Sequence, residues 1–137
     1  MELKKLQKKI AEYPKKIMTL EKIYDSIPSI KELSKEMEKI ERSENTGEEL
    51  RRNLKLFKSY RISLDAVYEN YLRIKNDIES DIEKMKEFEP NESVRLSIIQ
   101  AEQLILSINT AAGALEEEKE NLEFSIKKLQ MTLKGSD

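Results

Sequence analysis

The chain has 137 residues, 38% of them charged and 38% hydrophobic, with 25 Lys and Arg against 27 Asp and Glu for a formal charge of -2. It contains no His and no Cys, which excludes imidazole general bases, thiol nucleophiles, disulfides and the usual zinc ligand sets. Three Gly and three Pro are too few for the turns of a many-stranded sandwich or barrel, and the near-neutral charge gives no whole-molecule attraction to nucleic acid or anionic lipid.

Two breaks divide the rest into three helical segments of similar length, at about residues 2–43, 47–88 and 91–134. In the first, Leu3, Leu6, Ile10, Tyr13, Ile17, Leu20, Tyr24 and Ile27 step by three and four. Ile30, Leu33, Met37 and Ile40 continue in a phase moved by one residue. The shift coincides with Pro28, followed by a Ser29/Glu32 capping-box pattern, so this helix is expected to kink or split there. Its start is basic, with seven Lys and three Glu in residues 1–22. Lys4, Lys5, Lys8, Lys9, Lys15 and Lys16 form a face that anionic lipid or a nucleic-acid backbone would attract. The stripe beside it lacks Trp and Phe and keeps the heptad phase, which favours a solvated outer face.

The second segment opens on a Thr46/Glu49 capping-box pattern. Leu50, Leu54, Phe57, Tyr60, Leu64, Val67, Tyr71, Ile74, Ile78, Ile82 and Met85 recur with a mean period of about 3.5, the spacing of left-handed coiling. Tyr60 and Tyr71 belong to that stripe; Tyr68 lies on its flank and is a candidate for partner binding. In the acidic run from Asp77 to Glu83, Asp77 and Asp81 are one turn apart. Without a shaped loop to converge oxygens on a hard cation, they read as a solvated face, and no metal is expected.

Pro90 ends the second segment and Asn91 is a good N-cap for the third. There Val94, Ile98, Ala101, Ile105, Ile108, Ala112, Leu115, Leu122, Ile126, Leu129 and Leu133 form a strict stripe that only Lys119 interrupts. A second apolar row, Leu96, Ile99 and Leu106, lies outside that stripe and implies a further partner: a second copy, a different protein, or the N-terminal part of the first helix packed unusually deeply, with the intermolecular contact favoured. A short flexible tail is expected from Gly135.

Three such helices with two short connections predict one domain over residues 1–137, an all-α, elongated, antiparallel up-down-up bundle with coiled-coil-like packing. Folding about midpoints near residues 45 and 89.5 brings Tyr24 level with Ala66 and Gly113, making the small run Ala111–Ala114 a narrow waist, and sets the N-terminal lysines beside the acidic end of the second helix. The outline of three long helices resembles spectrin-like repeats, the regulatory bundles of membrane-fusion proteins and BAR-type domains; the absence of Trp departs from a spectrin-like repeat, and no motif carries a function across.

The expectation is a non-enzymatic, cytoplasmic interaction module, an adaptor, spacer or assembly subunit without catalytic residues or cofactor. It would bind a protein partner or itself through Leu96, Ile99, Leu106 and Tyr68. No small-molecule substrate is expected. The alternative is a membrane-surface or nucleic-acid binder using the basic face.

Overall fold

The apolar stripes close on one another in the computed structural model, which describes residues 2–27, 32, 35 and 47–136. Among these residues the elements are α1 (Glu2–Asp25), α2 (Gly47–Met85) and α3 (Glu92–Ser136), with no strand. All three pairs of helices pack together, α2 with α3 most extensively. At 1.5 Å per residue α3 is about 68 Å long, so the molecule is an all-α bundle.

Polar cross-links give the direction of each pair. From Asp65 up to Tyr68 on α2, the partners on α3 run down from Lys119 to Glu116, so these helices are antiparallel. Tyr13 and Lys9 near the start of α1 meet Asp81 near the end of α2, again antiparallel. Gln7 reaches Ser93 and Ser97 on α3, and Tyr24 reaches Glu118, so α1 and α3 run parallel. The sequence placed Tyr24 level with Gly113; the partner it reaches lies five residues further on.

Helix ends follow local chemistry. The Asn91 side chain accepts from the Val94 amide at 2.9 Å, the N-cap that opens α3. Ahead of Pro90, α2 stops at Met85, short of 88. Its amides change partner from four residues back at Lys86 to three back at Glu87 and Phe88, a tightened last turn. In the same way α1 stops at Asp25, with Ser26 and Ile27 in a turn and bend before Pro28, and Glu32 and Lys35 are again helical. The first segment is thus interrupted, not continuous from 2 to 43. Ile30, Leu33, Met37 and Ile40, and the caps read at Ser29 and Thr46, lie outside the described residues. At the other end α3 continues through Gly135 to Ser136. Each helix has a Lys in its last turn, favourable against the negative end of the helix dipole.

One proline breaks the rule of helix interiors. Pro14 lies inside α1 and, lacking an N–H, leaves the Ile10 carbonyl without its usual donor four residues on. Ile10, Tyr13, Ile17 and Leu20 stay buried across it, so packing of the stripe outweighs the lost bond.

The core is the predicted one with corrections. Val94, Ala101, Ile108, Ala112, Leu115, Leu122, Ile126, Leu129 and Leu133 are buried, whereas Ile98 and Ile105 are only half-buried. Ala112 lies inside, but Gly113, Ala114 and Ala66 are exposed, and a Cβ added at Gly113 would meet nothing within 4 Å. The small run is therefore not a waist; it straddles both faces of α3. Among the described residues no helix is long and apolar enough to cross a membrane.

Candidate functional site

The two apolar rows of α3 point in opposite directions. With 3.5 residues per turn, positions 96, 103, 110, 117, 124 and 131 share one edge, and 92, 99, 106, 113, 120, 127 and 134 the next. Their midline lies about 154° around the helix from the core stripe. Leu96, Ile99 and Leu106 are 59%, 51% and 66% exposed. The same row continues where the sequence reading stops it, at Phe124 and Met131, which are 70% and 74% exposed. Both follow Leu96 at multiples of seven, the signal by which they are found. A helix on the surface of a bundle needs one apolar stripe; this one has two.

Tyr68 does not join that surface. Its hydroxyl donates to Glu116 at 2.5 Å, which raises its pKa, and the Lys119 ammonium lies 4.6 Å from its ring centroid. Lys119 also pairs with Asp65 at 2.6 Å, so the one charged residue of the core stripe is held by an acid and a ring from α2. Nearby Tyr24 is hydrogen-bonded to Glu118; burial first, then that bond, pushes its pKa up to about 12. These groups form the polar lining of the helix seams.

The basic face divides in the same way. Lys4, Lys5, Lys8, Lys15 and Lys16 are exposed, and the Lys16 ammonium lies 5.6 Å from the Tyr13 ring centroid. Lys9 turns to Asp81 at 3.3 Å. Asp81, read from the sequence as part of a solvated acidic face, is fully buried. Its second oxygen accepts the Tyr13 hydroxyl at 2.5 Å, and burial, then that bond, raises the Tyr13 pKa. The reason is register: in the steps 71, 74, 78, 81, 85 Asp81 occupies a core position, and Tyr13 of the α1 stripe faces it. Beside this cluster a groove of about 540 Å³ is lined by Lys5, Leu6, Lys9, Lys84, Glu87 and Phe88, among others.

Both Asp81 oxygens are engaged, and no grouping of three or more acidic residues that could hold a metal occurs among the described residues. No protein-family model matches the chain, and neither a curated protein nor a solved structure is detectably similar to it.

Proposed function

We propose that this chain is a non-enzymatic helical interaction module, an adaptor, spacer or assembly subunit that engages protein through the outer face of α3. The observation that carries this reading is the solvent-facing heptad row, in which Leu96, Ile99, Leu106, Phe124 and Met131 are all more than half exposed. Removing Leu96, Ile99 and Leu106 from water would contribute about 4–9 kcal/mol before association entropy and ordering, enough to support a firm complex. The basic start of α1 supports a lipid or nucleic-acid role less well, since Lys9 is committed to Asp81 and Lys16 lies over Tyr13.

The test is to replace Leu96, Ile99 and Leu106 together with Glu. Helicity and cooperative melting should stay intact, while association, measured by sedimentation and by protection of the outer face in native extract, should be lost. An unfolded triple variant would place the row in the monomer core and overturn the reading.

A further inference from the structure

The outer row of α3 has an internal order that selects its occupant. Apolar residues stand toward its ends, with Leu96, Ile99 and Leu106 on one side and Phe124 and Met131 on the other; Glu92, Gln103, Thr110, Gly113, Glu117, Glu120, Lys127 and Lys134 fill the remaining positions, and all are exposed. Set in register against a parallel copy of itself, this row places Glu92, Glu117, Glu120, Lys127 and Lys134 each on its own counterpart, five like-charge contacts along one seam. Turned antiparallel with the knobs of one edge opposite those of the other, it places Ile99 on Met131 and Leu106 on Phe124. The polar positions then also find neutral partners: Glu117 meets Gly113, Glu120 meets Thr110 and Lys127 meets Gln103. Gly113 and Ala114, outward-facing and without neighbours of their own at Gly113, fall beside the two-fold axis, where two helices approach most closely.

Resting on the reading of this face as an interaction surface, we propose that its occupant is the same face of a second copy, paired antiparallel with Ile99 opposite Met131 and Leu106 opposite Phe124. The two copies join eight large apolar side chains in four direct contacts, with each Leu96 at an end of the seam opposite Lys134 of the other copy, the self-complementary arrangement that a two-fold interface requires.

The register is tested by charge rescue. Leu106→Glu and Phe124→Lys each place a charge against an apolar side chain twice per dimer, so each alone should weaken self-association by about tenfold or more, read by sedimentation equilibrium. Because both positions face solvent within one chain, melting of each variant should match that of the wild type in dilute solution, where the wild type is monomeric too. Mixing the two variants should restore association, since the introduced glutamate then faces the introduced lysine and the other contact is wild type. Nitroxide labels read the same geometry directly. At Ala114→Cys they should be close together, and at Gln100→Cys about 45 Å apart.

No rescue in the mixture, or short distances at both label sites, overturns the antiparallel register. A wild-type chain that sediments as a monomer at all concentrations overturns the second copy as occupant. In that case, protection of the Ala114→Cys thiol in native extract would leave the surface reading standing with another protein as partner, whereas a freely reactive thiol would overturn both.

Discussion

Ala112 and Gly113 are neighbours in sequence and belong to different environments. Ala112 is buried, while Gly113 opens on solvent with nothing near its missing Cβ. The same contrast runs the length of α3. Its inner stripe carries a single charged residue, Lys119, and the seam supplies Asp65 and Tyr68 to hold it. The outer row has the same heptad spacing, but Glu117, Glu120 and Lys127 enter it freely. Spacing therefore says that two faces exist; the density of apolar residues along each says which one is the core.

The contrast breaks most visibly under truncation. Leu122→Ala, at a side chain 1% exposed, should destabilise the bundle by about 2–5 kcal/mol, whereas Phe124→Ala, two residues on and 70% exposed, should stay within about 0.5 kcal/mol in dilute solution. Denaturant melts of the two variants compare the faces directly, and equal losses would contradict the assignment. Tyr13→Phe removes a donor from buried Asp81 without opening a cavity and should cost about 1–3 kcal/mol, by the same melts. At the neighbouring pair, Ala112→Leu should overpack the core by about 1–3 kcal/mol, while Gly113→Ala should stabilise by about 0.5–1 kcal/mol through helix propensity.

The smallest effect is alkaline. With its pKa pushed up to about 12, Tyr24 keeps its proton in the folded chain when an unfolded chain has already released it near 10. The folded state then binds more protons, so this contribution is complete below pH 10 and is lost as pH rises toward 12. Tyr24→Phe should flatten that fall in a series of melts against pH.

Much of this was legible in the residues, and the exceptions have physical causes. The Asn91 cap, the direction of the helices and nearly every buried position of α3 follow from capping chemistry and period. Asp81 did not, because an acidic run suggests a wet face until its step from Ile78 and to Met85 is counted. Phe124 and Met131 are hidden by the acidic stretch that separates them from Leu106. Pro14 contradicts helix propensity outright, and only the burial of Ile10, Tyr13 and Ile17 on both sides of it explains why α1 continues. Ile98 and Ile105 are half-buried because exposure at a stripe's edge depends on how the neighbouring helices pack, which no single-helix pattern contains.

The buried carboxylate of Asp81 also solves a counting problem. A stripe that repeats every seven residues looks the same after a slide of seven, so apolar matching alone would let α1 dock one step too high or too low on α2. Such a slide brings Leu6 or Leu20 to the place of Tyr13, and neither can donate a hydrogen bond. The oxygen that accepts from Tyr13 would then be shut away from water without a donor, even where Lys16 slides into the place of Lys9, a penalty that the correct docking avoids. One acid thus gives an otherwise translationally degenerate helix a unique address on its neighbour.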